Sequence, residues 1–191
     1  LASPELEVVA LTTVFGNAHV EVCTDNAIRV LDVAGRADVP VAQGAARPLA
    51  MPYRGPADFV HGVNGLADVP LAAPSRRPLA LDAAHFIIDQ VMAAPGEITL
   101  VALGPLTNVA LALLVQPDLP QRLAGMIIMG GNAFVGGNAS PAAEANVIND
   151  PEAADLVFGA DCPIVMCGLD VTERTIMSSE QIAGIAALDN P

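Results

Sequence analysis

The sequence predicts an α/β protein with a mostly parallel sheet that carries helices on both faces. Two observations predict this fold class. Apolar, β-branched runs without a helical period, which are typical of strands buried on both faces, alternate along the chain with amphipathic helical stretches. The chain has 191 residues, of which 53% are hydrophobic, and this is enough for the packed core of one domain. We therefore predict a single domain over residues 1–191.

The first part of the chain contains two predicted strands around one helix. The patterns predict a strand over residues 6–14, a helix over residues 19–33 and a strand over residues 39–42. Residues 44–78 are rich in Pro, Gly and Arg and show no sustained period. A structureless stretch of that length inside a compact domain is typical of a lid or a binding loop.

The second part of the chain alternates more regularly. The patterns predict helices over residues 82–93, 105–115 and 152–158, and strands over residues 98–103, 126–129 and 163–167. The helix near residue 152 has a strong start, because Asp150 suits the N-cap and Pro151 the first helical position. Ser178 and Gln181 have the spacing of a capping box, which predicts a last helix that ends at Leu188.

Charge, hydropathy and cysteine content exclude several classes of protein. The net charge is -13 and the eight basic residues are scattered arginines, so a nucleic-acid backbone would be repelled. No apolar run reaches the roughly 18 residues that a membrane-spanning helix needs. Cys23, Cys162 and Cys167 form neither a disulfide framework nor a zinc pattern. They are typical of small core residues in a reducing compartment, so we expect a cytoplasmic protein.

Polar residues follow the predicted strands at the points where the strands end. Asn17 follows the first strand, Thr107 follows the strand at 98–103, and a glycine-rich loop with several amides follows the strand at 126–129. Open α/β sheets bind ligands at the carboxyl ends of their strands, and neutral hydrogen-bonding groups suit a sugar better than a phosphate. The glycine-rich loop lacks both the G-x-G-x-x-G spacing and a Gly-Lys-Ser/Thr sequence. No G-x-S-x-G elbow of a serine hydrolase occurs.

One segment has a more specific pattern than the rest. Residues 137–146 read GNASPAAEAN, and residues 149–154 read NDPEAA. This combination resembles the inosine-uridine preferring nucleoside hydrolases, which carry a very similar G-N-x-x-P-A-A-E-x-N stretch leading into D-P-E-A-A. Supporting matches, in the family's order, are TTVFGN at 12–17, VHGVNGLAD at 60–68, ALGPLTN at 102–108, IMGG at 128–131 and GLDVT at 168–172.

The resemblance implies a Rossmann-like fold and a hydrolase that splits ribonucleosides into ribose and base, with a role in nucleoside catabolism and purine salvage. Asn138, Glu144 and Asn146 match family residues that hydrogen-bond the ribose hydroxyls. Asn17 matches another family residue on the ribose side. The resemblance also implies that Met129 lines the sugar pocket, that His61 lies on a mobile loop near the 5′-hydroxyl and the base, and that the Thr107 carbonyl coordinates calcium. It further implies an oxocarbenium-like transition state and a calcium-activated water. The expected binding partners are a small nucleoside substrate and further copies of the same chain, in a homo-oligomer.

The chain also departs from the family's pattern. The family opens with an aspartate-rich D-x-D-x-x-x-D-D strand that supplies most calcium ligands and the general base, and it continues to a His-Asp pair that supplies the leaving-group acid. Neither occurs in this sequence. Ala145 stands where relatives often have a larger aromatic residue. We therefore expect no catalytic residue within this chain, an incomplete calcium site and no activity of this chain by itself.

Several alternatives stay open at this point. The chain is either such a hydrolase, a non-catalytic ribose- or nucleoside-binding remnant, or a structural remnant in which a missing strand leaves an apolar gap in the sheet. Met129 suits simple core packing as well as contact with a sugar. His19 and His85 are predicted to be peripheral helical residues, because no metal or base partners lie near them in the sequence.

Overall fold

The structure is a computed structural model that describes residue 1 and residues 3–188. Its strands are β1 (Leu11–Thr13), β2 (Val41–Gln43), β3 (Thr99–Ala102), β4 (Gly125–Met129) and β5 (Ile164–Cys167). Its α-helices are α1 (Val20–Val33), α2 (Asp58–His61), α3 (Ala83–Ala93), α4 (Thr107–Val115), α5 (Ala145–Asn149), α6 (Pro151–Phe158), α7 (Leu169–Thr172) and α8 (Ser179–Ala186). The predicted α/β class is confirmed.

The described strands pair in parallel and form two separate ladders. β1 pairs with β2, and β4 lies between β3 and β5. Val101, Ile127 and Val165 form one row across the three-stranded sheet. Because parallel strands run in the same direction, the carboxyl ends of β3, β4 and β5 meet at one edge, which we call the carboxyl edge.

The first strand is shorter than the sequence predicts. The apolar run covers residues 6–14, but only Leu11–Thr13 pairs with a neighbouring strand. Pro40, directly before β2, has no amide hydrogen to donate, and its carbonyl accepts from the Leu11 amide at 3.0 Å. The ladder therefore begins at Leu11, and Leu6 and Val9 upstream of it are exposed.

Helices α3, α4 and α6 cover one face of the three-stranded sheet. Their apolar side chains form one buried cluster with Met126 and Ile128 of β4, and a smaller cluster joins α1 to β2. The alternate residues of the sheet point away from these helices. Val101, Ile127 and Val165 are 58%, 39% and 57% exposed, respectively. This apolar row lies on the face that a second layer of helices covers in other parallel sheets.

The helix starts follow the capping patterns of the sequence. Asp82 caps α3, and Asp150 caps α6 by accepting from the Ala153 amide. Ser178 and Gln181 form both bonds of the predicted capping box at α8, although α8 ends two residues before the predicted end. The short helices α2, α5 and α7 are not predicted, because four or five residues hold too little periodicity. No helix in the described chain is long and apolar enough to cross a membrane.

One buried side chain connects the two-stranded ladder to helix α4, which packs on the three-stranded sheet. Asn108, in the first turn of α4, is 5% exposed. Its Nδ2 donates to the carbonyl of Thr13, the last residue of β1, at 2.8 Å, and its Oδ1 accepts from the amide of Ala45, which follows β2, at 2.9 Å. A Cβ on Gly44 would collide with this amide group, so the close approach requires glycine. Asn108 therefore holds the end of the two-stranded ladder against α4.

We expect Asn108→Ala to lower the free energy of unfolding by about 2–4 kcal/mol, because it leaves a buried carbonyl and a buried amide without partners. Denaturant unfolding of the natural polypeptide that contains residues 1–191 measures this change. Asp89→Ala, on the exposed side of α3, is the control and should change stability by no more than about 0.5 kcal/mol. Equal stability of Asn108→Ala and the unsubstituted protein would contradict the connecting role.

Candidate functional site

Asn146 connects the carboxyl ends of two strands. Its Nδ2 donates to the carbonyl of Met129, which ends β4, at 3.0 Å, and to the carbonyl of Leu103, which follows β3, at 3.4 Å. The same nitrogen lies 3.3 Å from the Met129 sulfur. Its Oδ1 accepts from none of the described groups, so the acceptor half of this amide is available to a ligand.

Glu144 lies beside Asn146 and is 2% exposed. Its Oε2 accepts from the amides of Gly131, Asn146 and Val147 at 2.9–3.1 Å, and its Oε1 also accepts from the Asn146 amide at 2.9 Å. Gly131 belongs to the loop after β4, so this carboxylate fixes that loop relative to α5. A carboxylate has about four acceptor positions, so Oε1 keeps a lone pair for a further donor, although the side chain is buried in this structure.

Asn138 is exposed near the start of a tight loop over residues 137–143. Its Oδ1 accepts from the amide of Ala145, the first residue of α5, at 2.9 Å. A Cβ on Gly137 would collide with the backbone of Ala143, so the closure of this loop requires glycine. The structure therefore places Asn138 beside α5. The residues that it brings together at this end of the carboxyl edge, called the amide cluster below, are Met129, Asn138, Glu144 and Asn146.

Asn17 follows β1 on the neighbouring ladder. Its side chain is exposed, and its carbonyl accepts from the Ala57 amide at 3.0 Å. A Cβ on Gly16 would lie 3.3 Å from Cδ of Pro105, in the segment between β3 and α4. The ends of β1 and β3 are thus adjacent, and Asn17 lies where both ladders end.

Tyr53 anchors the long irregular segment beside Asn17, a role that the sequence patterns do not predict. Its hydroxyl donates to the Gly16 carbonyl at 3.0 Å, and its ring packs edge-on against Phe15 with the ring centroids 5.0 Å apart. Burial raises the pKa of Tyr53, so the hydroxyl keeps its proton at neutral pH. The one available signal is that this is the single tyrosine of the chain.

His61 is the last residue of α2 and is partly buried. The capping residue of α2, Ala57, donates its amide to the Asn17 carbonyl. His61 therefore lies one helical turn from the point where α2 is attached to Asn17. Within the described chain no hydrogen bond joins the His61 ring to the amide cluster.

Thr107 is buried at the first position of α4, and its hydroxyl donates to Oδ2 of Asp150 at 2.6 Å. The same oxygen accepts from the Leu49 amide at 3.0 Å, and Oδ1 accepts from the Ala153 amide at 3.1 Å. Asp150 is fully buried and joins α4, α6 and the segment after β2. The sequence predicts only its capping role, because 43 and 101 residues separate it from Thr107 and Leu49.

Asp170, in α7 after β5, holds the glycine-rich loop that follows β4. Its Oδ2 accepts from the Ala133 amide at 2.8 Å, and its Oδ1 accepts from the Phe134 amide at 2.7 Å. These two amides hold the pKa of Asp170 below its usual range. The backbone of Phe134 is therefore fixed, although its side chain is 96% exposed.

The carboxyl edge carries carboxylates and neutral amides. Glu144, Asp150 and Asp170 all lie there, and each accepts from neutral backbone or hydroxyl donors. In the part of the chain that the structure describes, none of the three forms an ion pair with an arginine; the arginine pairs involve other aspartates. The local potential therefore favours a ligand that is neutral or becomes positively charged.

The described residues do not fit a calcium ion by themselves. Residues 1 and 3–188 contain no group of three or more His, Cys, Asp or Glu side chains placed to hold a metal. Asp150, the carboxylate bonded to Thr107, already accepts from three donors. Calcium takes six to eight oxygen ligands. Thr107 and the Asp150 carboxylate, whose oxygens already accept three hydrogen bonds, do not supply that number.

The family model described as inosine-uridine preferring nucleoside hydrolase matches residues 1–191. Uridine nucleosidase 1 of Arabidopsis thaliana is 45% identical over 180 residues, which are 94% of this chain and 54% of that protein. A solved plant nucleoside hydrolase, the PpNRh1 enzyme, matches with a TM-score of 0.95 and 40% identity over 98% of this chain and 59% of that chain. The purine-preferring ribonucleoside hydrolase from Gardnerella vaginalis matches with a TM-score of 0.90 and 33% identity, over 93% of this chain and 57% of that chain.

These matches confirm both the predicted fold and the resemblance drawn from residues 137–154. They also show how much of each relative is represented. The chain spans 54–59% of the length of these three proteins.

The Asp170 contacts predict a pH-dependent loop. Because the pKa of Asp170 is depressed in the folded state, its carboxylate stabilises the loop above the unfolded-state pKa of about 3.9, and this stabilisation is lost as the pH falls through the folded-state value. Asp170→Asn should therefore destabilise the protein most above about pH 4 and progressively less below it. Unfolding measured from pH 3 to pH 7 checks this expectation.

Amide hydrogen exchange gives a local control for the same substitution. At neutral pH, Asp170→Asn should accelerate exchange at Ala133 and Phe134, which donate to this side chain. The Thr172 amide, which donates to the Gly168 carbonyl, should change little. Uniform acceleration at all three amides would show that the substitution loosens α7 rather than the loop.

Proposed function

The chain belongs to the inosine-uridine preferring nucleoside hydrolase family, and from this premise we propose that the natural polypeptide containing it hydrolyses ribonucleosides to ribose and a base. The observation that carries the proposal is the amide cluster at the carboxyl edge. Its members match the residues for which the family resemblance implies contact with ribose, and hydrogen bonds hold three of them around the start of α5. The family match over all 191 residues favours this hydrolase over a non-catalytic remnant.

In the proposed complex the amide cluster binds the ribose hydroxyls. Oδ1 of Asn146 and Oε1 of Glu144 accept from hydroxyl groups, and the Asn138 side chain and Asn17 make the remaining polar contacts. Glu144 is suited to this because backbone amides already hold its carboxylate, so little reorganisation accompanies binding. Met129 lies beside Asn146 and would pack against the sugar ring.

The charge of the carboxyl edge supports the chemistry that we propose. Breaking the N-glycosidic bond leaves positive charge on the ribose, as in an oxocarbenium ion. Acceptor oxygens that point at the ring stabilise this charge more in the transition state than in the ground state. Glu144 contributes a carboxylate to the amide cluster, and no arginine is paired with it among the described residues.

The family resemblance implies calcium, but the oxygen donors of the described residues do not fit the ion by themselves. The general base and the leaving-group acid of the family likewise have no counterpart among residues 1–191. We propose that this chain contributes the binding of ribose.

Uridine is the substrate that we propose first. The matching relative from Arabidopsis thaliana is named a uridine nucleosidase and is 45% identical, whereas the purine-preferring enzyme is 33% identical. These identities favour a role in pyrimidine nucleoside catabolism over one in purine salvage.

We also propose that the natural polypeptide forms homo-oligomers in the cytoplasm. The exposed apolar row of Val101, Ile127 and Val165 supports contact of this sheet face with further protein.

Release of uracil from uridine by the natural polypeptide tests the proposal directly. Asn138→Ala should lower kcat/KM about 10- to 100-fold, equivalent to about 1.4–2.8 kcal/mol of transition-state stabilisation. Asn138 is exposed, so the protein should still fold. Asn149→Ala, at the end of α5, is the matched control and should change kcat/KM less than about 3-fold.

Three results separate the alternatives. If hypoxanthine were released from inosine faster than uracil from uridine, the proposed substrate would be wrong, but the proposed reaction, hydrolysis of a ribonucleoside, would stand. Ribonucleoside binding without release of any base would favour a binding protein. If neither binding nor hydrolysis occurred, the proposed function would be wrong.

A further inference from the structure

The turn that follows His61 has an unusual backbone. Ala67 and Asp68 have φ values of 54° and 55°, in the left-handed region that residues with a Cβ seldom adopt. Gly62 and Gly65 in the same turn also have positive φ. Such conformations persist only where the surrounding structure holds them firmly, and they concentrate at functional sites.

The side chain of Asn64 closes this turn. Its Oδ1 accepts from the amides of Leu66 and Asp68, both at 2.9 Å, and its Nδ2 donates to the Val69 carbonyl at 2.8 Å. The Asn64 amide in turn donates to Oδ1 of Asp68 at 3.1 Å. Both halves of the Asn64 amide group are therefore used, and together these bonds hold Asp68 in its left-handed conformation.

The closed turn is attached on both sides of His61. After His61, the Ala67 amide donates to the His61 carbonyl at 2.7 Å, and Nδ2 of Asn26 in α1 donates to the Asn64 carbonyl at 2.8 Å. Before His61, the start of α2 is attached to Asn17. Hydrogen bonds thus attach the segment around His61 to the end of β1 and to the surface of α1, whereas the family resemblance implies a mobile loop at this position.

We propose that Asn64 is a positioning residue that sets His61 beside the ribose-binding edge. The inference rests on the proposed function and on the family resemblance, which implies that His61 lies near the 5′-hydroxyl and the base of the nucleoside. Asn64 gives residues 61–69 one closed shape before the substrate binds. A side chain held in place in advance loses less conformational freedom on binding, which favours the reacting geometry.

Kinetics of a double-mutant cycle test this role. Asn64→Ala should lower kcat/KM for nucleoside hydrolysis by the natural polypeptide about 10-fold, but less than about 2-fold when His61→Ala is also present, because the benefit of a positioned His61 is then already lost. Asn64→Asp keeps the two acceptor bonds and loses the donor to Val69, so its effect should be intermediate. Ser75→Ala removes a side-chain bond to Asp32 in the same irregular segment and should leave kcat/KM unchanged.

Amide hydrogen exchange gives a readout that does not need activity. Asn64→Ala should accelerate exchange of the Ala67 amide about 10-fold or more, while the Thr172 amide stays unchanged. An unchanged Ala67 amide would overturn the proposal whatever the kinetics show. Equal losses of kcat/KM with and without His61 would assign Asn64 a purely structural role and would also overturn it. No hydrolysis by the unsubstituted protein would refute the proposed function instead, and the exchange result would still decide whether Asn64 holds His61.

Discussion

The arrangement of the carboxyl edge depends on buried polar side chains, and first on the amide group of Asn108. The two parallel ladders share no strand pairing in the described chain, so backbone hydrogen bonds do not fix one against the other. Asn108 of α4 donates to the end of β1 and accepts from the segment after β2, and α4 itself packs against β4 of the three-stranded sheet. Because both contacts lie where the strands end, Asn108 holds the end of the β1–β2 ladder against α4, near Asn17.

A second buried side chain, Asp150, extends this connection. It joins Thr107 of α4 to the Leu49 amide while it caps α6. A buried polar group that loses its partner is costly in a low-dielectric interior, so such side chains favour one arrangement of the elements that they connect. Loops that would otherwise vary in position are therefore held to within hydrogen-bond distance of the strand ends. This is the precision that binding a small, hydroxyl-rich ligand requires.

Local patterns in the sequence predicted much of this structure, and long-range contacts account for the rest. Apolar runs and capping residues predicted the five longer helices and all five strands, because those signals act within a few residues. The short β1 depends instead on its partner, since Pro40 limits the ladder. Motif matches identified the amide cluster. The connecting roles of Tyr53 and Asn108 were not predicted, because their hydrogen-bond partners lie 37 and 95 residues away along the chain. A single sequence carries no periodic signal over such a separation.

Glu144 shows how the fold and the site use one group. Its position before α5 would suit an ordinary helix cap, and the structure confirms that it is one. The same carboxylate also accepts from Gly131, so the loop after β4 and the start of α5 are both oriented by the oxygen atoms proposed to meet the ribose. Removing the charge would therefore alter the helix, the loop and the binding edge together. A carboxylate in this position is suited to stabilise a developing cation because backbone amides have already oriented it before the substrate arrives.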